Sequence, residues 1–260
     1  MLARIRGHVV LLIAAVTMVT FFLASLPWML LTGKGDLPIW FGRKAWGPLG
    51  LFLAGAKLDV RRMPALPPGP VIIASNHESV LDIWILFCVV QRSFRFIAKE
   101  ELFRLPIFGW YMRIGGHIPV DRANHQRAVA SLTKAGDTVR SGTTIVVFPE
   151  GTRSRTGRVQ AFKKGPFVVA KQAGVPVIPV AISGSGAVTP SHHVAVFPGP
   201  IRVAAGDPVD PAQFPDKETL LVEVRRRILE LHRSLGGLGG SEAAVAPPGT
   251  EGDSPPRGAA

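Results

Sequence analysis

Cysteine is almost absent from this chain. Its one thiol, Cys88, lies inside the apolar run WILFCVV, so no intramolecular disulfide can form and the residue reads as a small buried hydrophobe. Tyrosine is as scarce, one residue among 260, and no interleaving of aromatic and basic residues suited to single-stranded nucleic acid occurs. There is no Gly-x-Ser-x-Gly elbow, the usual setting of an acyl-accepting serine. No internal repeat is evident. His192 and His193 adjoin each other without a third ligand at a metal-site spacing, so they read as a polar loop, and no metal or other cofactor is implied. Acidic residues are few, 18 Asp and Glu against 30 Lys and Arg, which leaves a net charge of +12. The basic residues are spread along the chain instead of forming a stripe. That distribution speaks against nucleic acid as a partner and for anionic lipid headgroups or phosphorylated substrates.

Charge is missing altogether from Val9 to Leu31. At about 1.5 Å per residue this stretch reaches roughly 34 Å, enough for a hydrocarbon core of about 30 Å. Arg4 and Arg6 before it resemble the start of a signal peptide, but the run is longer than a usual signal core and no small-x-small site closes it. An anchor is the better reading, and Pro27 offers a place for a kink or a re-entrant bend. A second apolar segment, LPIWFGRKAWGPLGLFLAGA (37–56), is broken by Arg43, Lys44 and Pro48. Trp28, Trp40 and Trp46 cluster around it, as tryptophans do at headgroup level, so residues 1–62 are expected to form a membrane-associated helical hairpin. Packing of 37–56 as an ordinary buried helix is the competing reading. The tail, 236–260, is rich in Gly, Pro and Ala, lacks large apolar residues and is expected to be disordered.

Between these segments, residues 63–235 alternate in pattern. Strands are expected at 71–75, 94–98, 117–120, 143–148, 176–183 and 200–206. Helices are expected at 79–90, 123–141, 164–174 (closed by Gly174) and 217–235, with a broken helix at 102–115. Such alternation predicts an α/β domain with a largely parallel central sheet flanked by helices, whose ligands gather beyond the carboxyl ends of the strands.

One strand end carries ASNHESVLDIW (74–84), with His77 and Asp82 five positions apart. Ser79 and Asp82 match a capping box, so the stretch could be no more than a helix start. Five residues of regular helix turn about 500°, which places the two side chains roughly 140° apart. They can meet only if His77 lies in the loop before the helix and Asp82 points back from its first turn. Capping and pairing would then share one turn. Glu78, beside the histidine, adds a carboxylate that could raise the imidazole pKa or simply face water. Three more stretches occupy comparable places: GGHIPVDR, ending in Arg122; FPEGTRSRTG (148–157), with Glu150, Gly151, Thr152 and Arg153; and VPVIPVAISGSG (175–186). Arginines in turns with accessible backbone N–H groups suit an anionic group such as phosphate, although Glu150 with Arg153 could equally be a salt bridge within the turn and Arg122 a surface residue.

In this order the stretches resemble the glycerolipid acyltransferases of the 1-acyl-glycerol-3-phosphate acyltransferase type, over about Val71 to Gly206. The lead-in AKEELFRLPIFGWYMRIGG, with Lys99 near its head, is similar to that family too. Pro166 in FKKGPF departs from it and puts the start of the following helix in doubt. The resemblance implies transfer of a fatty acyl group from acyl-CoA or acyl carrier protein to the hydroxyl of lysophosphatidate. His77 would be the general base, oriented by Asp82. Arg153, with the Glu150–Gly151–Thr152 turn, would hold the acceptor phosphate; Arg122 and Lys99 are further candidates. Another acceptor (lyso-ornithine lipid, another lysophospholipid, glycerol-3-phosphate) would suit the same chemistry, and a basic membrane-surface binding protein is the non-enzyme alternative. Because these thioesters are cytosolic, the expected location is the bacterial inner membrane with the site on its cytoplasmic face. More basic residues follow the apolar run than precede it, in agreement with that placement.

Overall fold

The apolar strands of the middle region are buried on both faces. In the computed structural model, which describes residues 1–121, 125–191 and 193–246, strands β1 (Ala56–Arg62), β2 (Ile72–Ser75), β3 (Phe94–Lys99), β4 (Ile118–Val120), β5 (Thr144–Val147), β6 (Val177–Ser183) and β7 (Gly199–Ala205) form one sheet. Their order is β1-β7-β6-β2-β5-β3-β4, and every neighbouring pair is parallel except β6 with β7. Ile73 and Val146 enter one core and Ile72 and Ile145 the other, so alternation is present but both sets are apolar. This is the α/β architecture expected, with the three central strands β6, β2 and β5 wholly buried.

The helices divide between the two cores. On one face lie α1 (Leu2–Thr32), α2 (Asp36–Phe41), α3 (Gly47–Ala54) and α4 (Leu81–Val89); on the other lie α6 (His125–Arg140), α7 (Gly165–Ala173) and α9 (Lys217–Ser234). The short helix α5 (Phe108–Ile114) follows a 3-10 turn over Glu100–Arg104, which is the broken helix anticipated at 102–115. A four-residue helix α8 (Ser185–Val188) follows β6. Pro166 falls in the first turn of α7, where a missing N–H costs nothing, and Gly174 closes that helix at φ 65°.

The N-terminal segment is a hairpin, as predicted, but not a separate one. Helix α1 runs unbroken through Pro27 and buries a stripe of Gly7, Val10, Ala14, Phe22, Ser25 and Met29. Both of its ends touch the α/β domain. Near the start, Val196 N–H donates to Ala3 C=O (3.0 Å); just past the end, Gly35 lies against the backbone of Gly115. The α2–α3 arm, continuous through a π turn at Gly42–Trp46, packs on α4. Trp46 therefore sits among protein atoms: its indole N–H donates to Ala14 C=O (2.8 Å), and its ring meets Trp84 edge-on at 5.6 Å. Trp28 and Trp40 remain exposed. Close approach of the arm to α4 depends on Gly50, where an added Cβ would lie 2.5 Å from the Trp84 ring. Gly50→Ala is accordingly expected to cost about 1–3 kcal/mol as an overpacking substitution, read as a lowered Tm of the detergent-solubilised protein.

Two stretches differ from the sequence expectation. Residues 56–62, grouped above with the anchoring segment, form the edge strand β1 paired with β7. Their charges (AKLDVRR) hide the strand pattern yet suit an edge. Residues 236–246, expected to be disordered, instead run beside 159–162. Val159 N–H donates to Gly239 C=O (2.9 Å) and Ser241 N–H to Val159 C=O (2.8 Å), and Phe162 repeats the pattern with Ala244 and Ala246. Residues 247–260 of that tail, Arg122 and His192 lie outside the described residues.

Candidate active site

The loop between β2 and α4 is held from three directions. Asn76, immediately after β2, is clamped to β6: its side-chain NH2 donates to Ile182 C=O and its side-chain oxygen accepts from Ile182 N–H, both at 2.8 Å. His77 follows, outside the helix. Its backbone N–H donates to Glu150 Oε1 (2.8 Å), and its C=O accepts from Ser154 N–H (2.7 Å). The FPEGTRS segment after β5 thus grips both polar atoms of the histidine backbone. This is possible because β2 and β5 are direct neighbours, with Ala74 opposite Val147, and because Gly151 takes the turn at φ 75°.

Asp82 lies in the first turn of α4 and is fully buried. A single oxygen, Oδ2, accepts from His77 Nδ1 (2.8 Å), Glu78 N–H (2.7 Å) and Ser79 N–H (2.9 Å). The Ser79 N–H to Asp82 contact that a capping box would use is therefore made, although α4 itself starts at Leu81 with no side-chain cap bond, and the atom that gathers these loop N–H groups is the atom that holds the histidine. A carboxylate only accepts, so Nδ1 carries the proton and Nε2 presents a lone pair. The His77 side chain is 14% exposed and stacks on Phe148, with ring centroids 3.8 Å apart. Ser79 Oγ donates to Thr189 C=O (2.9 Å) and accepts from Leu81 N–H (3.3 Å).

Glu150 and Arg153 do not pair with each other. Glu150 is buried, and its two oxygens accept from the N–H groups of His77 and Gln160 (2.8 and 3.0 Å). Both oxygens thus brace the backbone of the loop, and Glu150 stands in the phosphate-binding turn as a support for its backbone. Arg153 is exposed and has no carboxylate partner among the described residues. Burial pushes the Glu150 carboxyl up to about 8; the two backbone donors oppose the shift, and the nearby Asp82 and Glu78 add to it. Between its usual 4.5 and about 8 the folded chain keeps a proton that the unfolded chain has released. Stability should therefore fall as pH rises through that window and level off above it. Glu150→Gln should flatten this decline in denaturant titrations run from about pH 5 to 9; an identical slope in both proteins would refute the assignment.

Glu78 neither faces water nor touches the imidazole ring of His77. It is buried, with Oε1 2.9 Å from His232 Nε2 on α9 and Oε2 accepting from Gly184 and Gly186 N–H (3.2 and 3.3 Å). Sequence reasoning passed over His232, although it lies four residues beyond Ile228 on the buried stripe of α9. Asn76 and Phe148 were likewise quoted without a role.

A cavity of about 560 Å³ opens at His77. Lys99, Gly151, Thr152 and Arg153 line its polar end together with the histidine. Most of the remainder is apolar, with Tyr111 and His117 among it, and α1 supplies part of that wall with Leu11, Ala14, Met18 and Phe22. Lys99 is half-exposed and paired with Glu101 at 3.0 Å. Cys88, across α4, is half-buried, and burial pushes its thiol up to about 11.

Comparison with known proteins bears on the family and the fold. A family model described as Acyltransferase matches residues 57–183, from β1 through β6. A chloroplastic 1-acyl-sn-glycerol-3-phosphate acyltransferase of Brassica napus is 32% identical over 88% of this chain and 67% of its own length. The alpha form of the mouse enzyme of that name is 32% identical over 76% of this chain and 72% of its own. The chain spans 53% of the length of the Arabidopsis thaliana relative. Among solved structures, the 1-acyl-sn-glycerophosphate (LPA) acyltransferase of Thermotoga maritima superposes with a TM-score of 0.78 at 29% identity, covering 90% of this chain and 96% of that one.

Proposed function

The chain belongs to the 1-acyl-sn-glycerol-3-phosphate acyltransferase family, and from that premise we propose that it moves a fatty acyl group from a thioester, acyl-CoA or acyl carrier protein, to the sn-2 hydroxyl of 1-acyl-glycerol-3-phosphate, forming phosphatidic acid. The observation that carries the mechanism is the His77 Nδ1 to Asp82 Oδ2 bond (2.8 Å) at the polar end of the apolar cavity. An alcohol is a poor nucleophile at neutral pH. His77 Nε2 takes the hydroxyl proton as the oxygen attacks the thioester carbonyl, and Asp82 stabilises the imidazolium that results. The tetrahedral intermediate then collapses, the C–S bond breaks, and the imidazolium returns its proton to the departing thiolate. The products are phosphatidic acid and the free thiol, and no acyl-enzyme is formed.

Arg153, exposed beside the Gly151–Thr152 turn at the cavity mouth, binds the acceptor phosphate in this reading, assisted by Lys99 and Arg122. Because Arg153 is exposed and screened, Arg153→Ala should raise the acceptor KM by about tenfold, the lower end for a charge-assisted contact, with kcat little changed. A change confined to the donor KM would assign Arg153 to the thioester instead.

The hairpin supports a membrane-bound enzyme. Helix α1 is long and apolar enough to cross a bilayer, but contact of both its ends with the α/β domain favours a hairpin that lies along one face, the cytoplasmic one where the thioesters are made. A purified full-length protein offered both donors and a panel of acceptors tests the reading. Phosphatidic acid, detected by mass spectrometry, is the expected product; transfer only to lyso-ornithine lipid or another lysolipid would change the acceptor, and transfer to none would overturn the proposal.

A further inference from the structure

The residue between the histidine and Ser79 does something the acyl-transfer mechanism leaves unused. The side chain of Glu78 leaves the loop after β2, passes the turn into α8, and ends on His232 of α9, 154 positions along the chain. The two ends of this connection lie on opposite sides of the sheet: α4, which Asp82 begins, packs in one core and α9 in the other. His232 is fully buried, and Gly237 covers its ring so closely that a Cβ there would lie 2.3 Å from it. A buried carboxylate with three donors is expensive to move, because any departure strands charge away from water.

That rigidity is applied at a sensitive point. The backbone N–H of Glu78 is one of the three donors that fix Asp82 Oδ2, and the neighbouring N–H of Ser79 is another. Rotation of the Glu78 backbone would re-aim both donors and release Asp82 from its alignment with His77 Nδ1. We propose that Glu78 and His232 are positioning residues for acyl transfer: the buried pair locks the loop backbone so that Asp82 is held against His77. The inference rests on the reading of His77 as general base. Neither residue touches substrate.

The test compares His232→Gln with His232→Asn in full-length protein. The glutamine amide nitrogen can take the place of Nε2 and donate to Glu78, whereas the asparagine amide is one methylene too short. His232→Asn should lower kcat by about 10²-fold, the scale of a misplacement of about 1 Å at the reacting groups, with acceptor KM unchanged. The acid limb of its kcat/KM profile should also move to lower pH, since a loosened Asp82 stabilises the imidazolium less. Asp82, Glu78 and Glu150 stand around His77, with Arg153 and Lys99 on the cavity side, and all are common to both variants. His232→Gln should recover the rate and the acid limb. A folded His232→Asn protein with wild-type kcat and profile overturns the inference, as does one whose melting temperature falls while kcat and the acid limb stay put. If His232→Asn does not fold, Glu78→Gln, which points an NH2 at either His232 or the two glycine N–H groups, supplies the same readouts. Absence of acyl transfer by the wild-type protein would refute the reading of function instead, so the two failures remain distinct.

Discussion

His77→Ala is expected to reduce acyl transfer by roughly 10² to 10⁴, the usual worth of a general base, while the protein still folds and binds vesicles. Asp82 requires a subtler substitution, because the oxygen that holds His77 also receives the N–H groups of Glu78 and Ser79 in the turn that leads into α4. Asp82→Ala would remove both and confuse lost chemistry with a lost helix start. In Asp82→Asn, the amide oxygen can occupy the Oδ2 place and keep all three donors. The charge that stabilises the imidazolium disappears while the cap survives. The expected result is a protein that melts close to wild type and turns over at least about 10²-fold more slowly. Equal melting and equal turnover would mean that Asp82 is a cap and nothing more, and near-normal turnover of a folded His77→Ala protein would end the proposed mechanism.

Removal of residues 1–54 is expected to destroy the enzyme, and not merely to free it from membranes. Val10, Phe22, Met29, Ile39 and Leu51 are all buried in this segment. At about 1.5–3 kcal/mol each their burial contributes roughly 7–15 kcal/mol, comparable with the whole stability of a typical domain. The deletion also strips Leu11, Ala14, Met18 and Phe22 from the cavity wall and uncovers Trp84 and Phe87 on α4. The truncated chain should therefore aggregate and show no transfer even to a short-chain, water-soluble acceptor, whereas the full-length protein in detergent remains active. A soluble, active fragment would show that the hairpin is dispensable to the site.

Much of this was legible from residues alone. The strands of the middle region stood out because burial on both faces leaves nearly unbroken apolar runs. His77 and Asp82 were paired on the family resemblance; the angular arithmetic added where each would have to stand, the histidine in the loop and the aspartate in the first turn. What escaped notice has physical reasons too. Strand β1 carries Lys57, Asp59, Arg61 and Arg62, so it lacks the apolar signature of its partners. Residues 236–246 are held by backbone bonds, which composition does not encode. Glu150 entered the phosphate-binding turn through the family resemblance, and a salt bridge with Arg153 was the residue-level alternative; only the fold shows both its oxygens facing backbone donors. The Glu78–His232 pair joins residues 154 apart, and no local pattern announces such a contact.

The order of strands has a consequence in time. Strand β1, made early, finds its partner in β7, the last of the described strands to be synthesised; Ala56 waits for Gly199. At about 5–20 residues per second, the roughly 140 intervening residues take on the order of 7–30 s to emerge. During that interval the α2–α3 arm can already pack on α4, but the edge of β1 is open to any other strand and Ala3 at the start of α1 still lacks Val196. Strand β1 is thus the part of the sheet that lives longest without its partner, and the concentration of nascent chains sets how often it pairs wrongly.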